Sequence, residues 1–318
     1  MNTLHKRQRL LSIALAAGTV LTNPAFAEEG GSGHYAPGGV ADFLDALPAR
    51  PGLAVANYFM YYDGSASGTL PFGGRLTLDS HAQAYSDSFL VMYATNWELL
   101  GGHYVPAVGI PYVWLEVDGK ISGRLRSVGT RDTANGLGDI LLYPFMLGWA
   151  KDDLRYDLRL GIYAPTGDYE EGRLANVGKN YWTFEPMVSV SWLSSKIGTE
   201  VSACAGLDFS TKNAATDYQS GDVFHLDVTA AQHLPLGKLG TIGLGANAFY
   251  YQQFTGDSGS GAVLGDFAGR TVGVGPVLSF VTKLGKSDLA AEVKWLPELD
   301  VKNRLKGGYV WFKVGMGF

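Results

Sequence analysis

The last ten residues of the chain, 309–318, read YVWFKVGMGF. Counted back in twos from Phe318, one alternate set is entirely apolar, whereas the other set holds glycines, Lys313 and two amphipathic aromatic residues. Successive side chains of a β-strand point to opposite faces. The stretch therefore predicts a strand with one apolar and one mixed face. Two interpretations fit it: the wall of a membrane β-barrel, or the edge of a soluble β-sandwich.

The beginning of the chain, residues 1–27, has the pattern of a secretory signal peptide. Three basic residues precede an apolar run over 10–21, and residues 25–27 (AFA) offer a cleavage site between small residues. The run is too short to cross a membrane as a helix. Without residues 1–27, which hold three basic and no acidic residues, the counts of 25 Lys+Arg and 30 Asp+Glu become 22 and 30, a net charge of −8. This acidic balance argues against nucleic acid as a partner.

Composition favours β structure in an exported protein. Aromatic residues make up 12% of the 318 residues, and there are 43 glycines but only 13 prolines. Cys204 is the one cysteine, so the chain cannot form an internal disulfide. No apolar run long enough for a transmembrane helix follows residue 27.

Strand-like segments alternate with connectors from residue 53 onward. The predicted segments are 53–63, 86–96, 103–117, 139–150, 153–164, 181–192, 197–210, 222–234, 240–252, 269–284, 288–297 and 309–318. The connectors alternate between long and short, beginning with a long one at 64–85 and a short one at 97–102. Bacterial outer-membrane barrels show this sorting, because their periplasmic turns are short and their extracellular loops are long. A soluble sandwich has no reason to sort connectors by end.

These observations predict an all-β protein whose residues 53–318 form a transmembrane antiparallel β-barrel of about 12 strands. An even strand count places both termini in the periplasm of a Gram-negative cell, with outer-membrane lipid around the barrel. Phe318 is the expected assembly signal, read by the barrel assembly machinery.

Residues 28–52 read as an extension ahead of the barrel. Val40, Phe43, Leu44 and Leu47 follow the spacing of one helix face. The pattern predicts a short helix, and two placements stay open: docked in the lumen as a plug, or lying on the periplasmic rim.

The clearest strands assign a polar set to the lumen. Their inward residues are Arg155, Asp157, Arg159, His225, Asp227, His233, Glu292, Lys294 and Lys313. Such a lumen is either filled with water or crossed by paired charges. His225 and His233 lie roughly 26 Å apart along one strand, so they cannot share an ion; no metal and no cofactor are expected.

Several motifs resemble one protein family. Residues 136–144 read GLGDILLYP, 164–169 read APTGDY, and 176–186 read NVGKNYWTFEP, with further matches at 51–59 and 265–267. Together they resemble outer-membrane proteins that are encoded with aromatic-degradation pathways and named for the meta-cleavage pathway of phenol. The resemblance covers residues 37–318. It implies a channel for uptake of small hydrophobic compounds, aromatic ones above all, and not an enzyme.

The third long connector holds three candidate constriction residues, Asn176, Asn180 and Trp182, which would either fold inward to contact solutes or cap strand ends. Two alternative functions stay open: a structural barrel with a blocked lumen, and an outer-membrane lipid hydrolase. The hydrolase requires a serine within reach of a histidine, and His225 with Asp227 is the nearest candidate pair.

Overall fold

The computed structural model of the chain describes residues 33–45, 47, 51–72, 74–122, 127–262, 268–285 and 287–318. The signal-peptide prediction for 1–27 lies outside these residues and stays a prediction. Within the described part of the chain, no helix has both the length and the apolar character of a membrane-spanning helix.

In the part of the chain that the structure describes, one antiparallel sheet of fifteen strands contains nearly all of the regular structure. The strands are β1 Gly52–Phe72, β2 Gly74–Ala94, β3 Glu98–Leu99, β4 Gly102–Tyr104, β5 Ala107–Ser122, β6 Ser127–Leu137, β7 Ile140–Lys151, β8 Leu154–Ala164, β9 Thr183–Leu193, β10 Thr199–Ser210, β11 Val223–Pro235, β12 Thr241–Gln253, β13 Arg270–Leu284, β14 Ser287–Lys302 and β15 Lys306–Gly317. Each long strand pairs with its neighbour in sequence, and β15 pairs with β1, so the sheet closes into a barrel.

These strands make twelve crossings of the membrane. The short strands β3 and β4 form a hairpin inside the connector between β2 and β5. β6 and β7 are separated by only Gly138 and Asp139, and both pair with β5. They therefore count as one continuous crossing. The predicted closed antiparallel barrel of about 12 strands is therefore confirmed.

Two predicted loops are instead strand. β1 and β2 are 21 residues each and stay paired up to Phe72 and Gly74, within the predicted first loop at 64–85. β6 lies in the second predicted loop, 118–138. A 21-residue strand is about 70 Å long, far more than the ~25 Å apolar band requires. These hairpins project beyond that band, where no lipid imposes the apolar alternation that the sequence prediction relied on.

The two faces of the wall differ as predicted. β9 alternates strictly: Glu185 and Ser189 are buried, whereas Phe184, Val188 and Val190 are exposed on the outer face. Polar side chains therefore line the lumen and apolar side chains face lipid, which is the pattern of a transmembrane barrel.

Residues 33–45 and 47, here called the lumen segment, lie inside the barrel. His34 bonds with Asp139 and Thr183 near the ends of strands that meet the long loops. Leu47 contacts Gly148 near the short turns, where Gly52 and Phe318 also lie. The segment thus extends along the lumen, while the position of the residues before Gly33, and so of the amino terminus, stays a prediction.

The predicted helix over Val40–Leu47 is wrong for the described residues, which form turns and bends. Gly38 and Ala41 have φ angles of 80° and 65°, outside the right-handed helical region. The Asp42 side chain accepts the backbone N–H of Leu44 and of Asp45, which replaces helical hydrogen bonds with a local turn.

Candidate functional site

A buried ionic cluster holds the lower half of the lumen segment. Asp42 Oδ2 lies 2.6 Å from Lys313 Nζ and 2.7 Å from Lys294 Nζ, and all three side chains are fully buried. Lys294 also lies 3.2 Å from Glu292. Because a buried charge without a partner is costly, each lysine depends on Asp42. Lys294 and Lys313, which were predicted to face the lumen, are therefore paired with a carboxylate of the lumen segment.

Asp45, three residues after Asp42, makes a second set of polar contacts with the barrel wall. It accepts a hydrogen bond from Tyr58 Oη at 3.1 Å and lies 3.3 Å from Lys313 Nζ. Arg159 donates to its backbone carbonyl and makes a two-pronged ion pair with Asp157. Burial, followed by the nearby Asp42 carboxylate, raises the pKa of Asp45 to about 6.

The upper half of the segment is anchored by aromatic and imidazole groups. Tyr35 donates a short hydrogen bond to Asp227, and Gly38 N donates to the same carboxylate at 2.8 Å. The Tyr35 ring stacks on His225 with centroids 3.8 Å apart. Nearer the long loops, His34 Nε2 lies 2.9 Å from Asp139.

The apolar residues of the lumen segment contact several different parts of the barrel wall. Phe43 meets the His233 ring edge-on at 5.2 Å, Leu44 lies beside Gly315, and Leu47 packs on Gly148. Val40 packs against two separate apolar clusters. The predicted single apolar face does not form, because the extended turns direct these side chains outward around the lumen.

A cavity of about 450 Å³ opens between the lumen segment and the wall formed by β1, β2 and β5. Small and apolar side chains from β2 and β5 line one side, among them Ala82, Leu90, Val113 and Leu115. The described aromatic residues in its lining are Tyr35, Tyr58, Tyr62, Tyr85, Tyr143, Tyr163, Tyr169, Tyr309 and Trp311. Such a surface suits an apolar ring with one or two polar substituents.

The connector between β8 and β9 completes the lining. Asn176 lies in it and exchanges two hydrogen bonds with the backbone of Glu170. Asn180 instead points to the next long loop, where its amide donates to Asn213 at 2.7 Å. Trp182 is 43% exposed and alternates with buried Tyr181 and Thr183, so it faces outward. The predicted constriction role of Trp182 is therefore wrong, because strand alternation directs it to the lipid side.

The other predicted lumen residues are placed as follows. His225, Asp227, His233, Glu292, Lys294 and Lys313 are all buried inside the barrel, with His233 Nε2 2.7 Å from Glu200. Arg155 has the same strand parity as Asp157 but is exposed near the short turns. The described groups around the His225 imidazole include Glu185, Asp208 and Tyr35.

Sequence reasoning missed the partners on the lumen segment, namely His34, Tyr35, Asp42 and Asp45. A usable signal was present: two acidic residues, Asp42 and Asp45, flank the apolar pair Phe43 and Leu44. Acidic residues inside an apolar run of a lumen extension indicate ion pairs with the wall.

The sequence matches a family model described as "Putative MetA-pathway of phenol degradation" over residues 63–314. The chain belongs to this family. The family resemblance predicted from the motifs is thereby confirmed.

Solved structures support the same fold for this family member. A crystal structure of an outer membrane channel from Pseudomonas putida F1 superposes with a TM-score of 0.61 at 14% identity, covering 90% of this chain and all of that one. The β-domain of the Bordetella autotransporter BrkA gives a TM-score of 0.43 at 14% identity, with 85% and 99% coverage. At 14% identity, the likeness to the Pseudomonas putida channel establishes the outer-membrane barrel fold alone. No curated protein sequence matches the chain.

Proposed function

We propose that the protein is an outer-membrane channel of Gram-negative bacteria that takes up small hydrophobic compounds, aromatic ones above all. The observation that carries the proposal is the cavity of about 450 Å³, which combines aromatic rings with small apolar side chains from β2 and β5. Aromatic faces bind apolar rings without demanding hydrogen bonds, so a solute can also leave again. The family's tie to phenol degradation and the channel from Pseudomonas putida support the same reading.

The lumen segment acts in this proposal as a plug below the cavity. Its contacts with Lys294, Lys313 and Asp227 close the direct path between the cavity and the short-turn end. A solute passes when the segment shifts or when the wall lets it out sideways. The same contacts also fit the second candidate, a structural barrel with a permanently blocked lumen.

Uptake by living cells separates the two candidates. A deletion strain is complemented with the wild type, with a variant lacking Glu28–Pro48, or with Leu115→Asn, which places an amide in the apolar cavity wall. At low external concentration of a labelled aromatic compound, we expect uptake to fall without the protein and to be partly lost in Leu115→Asn. Val128→Asn is the matched control, because Val128 is 57% exposed on the projecting strand β6 and does not line the cavity.

The plug is tested separately in planar bilayers. Removal of Glu28–Pro48 should give larger and less selective conductance than the wild type. If the deletion strain takes up every aromatic compound as fast as its parent and the shortened protein conducts no better, the channel role fails and the structural barrel becomes the better reading.

A further inference from the structure

Three ionisable side chains from adjacent strands converge at one point in the long-loop half of the lumen. Glu185 of β9, Asp208 of β10 and His225 of β11 are at most 4% exposed, and each offers a ligand atom within 4.8 Å of the others. His225 Nε2 lies 3.1 Å from Glu185 Oε1 and 3.6 Å from Asp208 Oδ1. Such convergence from three separate strands is expected of a binding site.

The donor atoms at this point lack ordinary partners. Within the described residues, neither ring nitrogen of His225 makes a hydrogen bond of regular geometry, and Oδ1 of Asp208 makes none either. Buried polar atoms in native proteins are nearly always satisfied. Ligand atoms held 2.0–2.2 Å from a tetrahedral zinc ion lie about 3.3–3.6 Å from one another, close to the two spacings seen here.

We propose that Glu185, Asp208 and His225 bind a divalent transition-metal ion such as zinc through one imidazole nitrogen and two carboxylate oxygens. Two carboxylates and a neutral imidazole carry a charge of −2, which a divalent ion neutralises in this buried place. Sequence reasoning excluded a metal because it considered only His225 with His233. The ligands come instead from three strands, and no spacing along one strand indicates them.

The residues around the three ligands leave space for the imidazole, orient one carboxylate and connect the site to the cavity. A Cβ at Gly206 would lie 2.3 Å from His225 Nε2, so this position needs glycine, whereas one at Gly161 would lie 2.9 Å from the end of the Glu185 side chain. Tyr163 Oη donates to Glu185 Oε2 at 3.4 Å, which orients the carboxylate in the way that outer groups orient metal ligands. Glu185 also lines the cavity, so an ion enters from there and water completes its coordination.

Zinc binding to the purified full chain tests the proposal. Protein without a histidine tag is stripped with a chelator, dialysed and titrated with Zn²⁺ by calorimetry. We expect one site per chain, weakened at least about tenfold in Glu185→Gln and in Asp208→Asn. His233→Gln is the matched control: His233 is a second buried histidine on β11 that pairs with Glu200 and meets the Phe43 ring, away from the three proposed ligands, and its loss should leave zinc binding unchanged.

Heat-modifiable migration on gels shows whether each variant is folded. X-ray absorption of the zinc-loaded wild type provides a measurement without any variant, and should report one nitrogen and two carboxylate oxygens from the protein. Failure of the wild type to bind zinc, or equal binding by the His233 and carboxylate variants, would overturn the site. The group would then be a protonated His225 that forms ion pairs with Glu185 and Asp208.

Discussion

Asp42 Oδ2 lies 2.6 Å from Lys313 Nζ, although 271 residues separate the two in sequence. Both side chains are fully buried, and Lys294 reaches the same oxygen at 2.7 Å. One carboxylate of the lumen segment thus pairs with lysines of the last two strands, to which Glu292 and Asp45 also lie close. The contact explains why the segment stays in a lumen that would otherwise hold unpaired positive charge.

Asp42→Asn should loosen the lumen segment. The change leaves Lys294 and Lys313 buried without their main partner, and breaking a buried pair in this way costs about 3–5 kcal/mol. We expect more frequent channel opening in planar bilayers and faster cleavage of the segment by added protease. Lys212→Gln is the control, because it removes an ion pair with Asp217 in which both side chains are nearly half exposed. Equal opening in both variants would contradict the anchoring role.

The closed state should weaken as pH rises through 6. Asp45 belongs to the lumen segment and not to a strand, and burial together with Asp42 raises its pKa from 3.8 to about 6. The docked segment therefore holds this proton more tightly than a released segment does. Docking is strongest below about pH 4 and loses about 3 kcal/mol once the pH exceeds 6.

Conductance recorded between pH 4 and pH 7.5 checks this expectation. The charged or titratable groups that face Asp45 are Asp42, Tyr58, Arg159, Lys294 and Lys313. Asp45→Asn keeps the side-chain shape and removes the proton, so its opening should vary little with pH over this range. An unchanged pH profile in Asp45→Asn would assign the effect to another group.

Loss of Phe318 should impair assembly more than stability. The Phe318 ring is 66% exposed, and its described polar contact is a backbone hydrogen bond to Leu53 at 2.8 Å. Little apolar area is therefore lost from the finished barrel when the residue is deleted. We expect lower outer-membrane yield and periplasmic aggregates, with an ordinary unfolding temperature for the molecules that do assemble. Phe318→Trp should restore the yield, and a normal yield from the deletion would rule out the signal.

Gly206→Ala should destabilise the barrel by about 1–3 kcal/mol, the usual cost of overpacking. The new Cβ would lie 2.3 Å from His225 Nε2, inside a wall that cannot move away freely. Gly317→Ala is the control, since no atom lies within 4 Å of the Cβ it would add. The temperature at which each barrel loses its compact migration on gels gives the comparison.

The barrel could be predicted from the sequence because lipid and lumen impose opposite demands on alternate residues. β9 shows this pattern in every residue from Thr183 to Trp192, and its predicted bounds were nearly right. The rule fails where one of the two environments is missing. Upper β1 and β2 project past the lipid, so their small and polar residues read as a loop.

The lumen segment was harder to predict for a different reason. Its four apolar residues fit a helical spacing, yet three of them contact β7, β11 and β15, and only the closed barrel brings these strands around one segment. The inward placement of Lys294 and Lys313 follows from local alternation. Their pairing with Asp42 depends on contacts across 252 and 271 residues, which no local pattern records.

The pairing of Asp42 with the last two strands also sets an order of events during biogenesis. Asp42 precedes the first strand, whereas Lys294 and Lys313 are among the last parts of the chain to be made. The ion pairs can form only once β14 and β15 have been made. A chain that still lacks these strands leaves Asp42 without its lysines, so the same three side chains that hold the segment also favour completed molecules over unfinished ones.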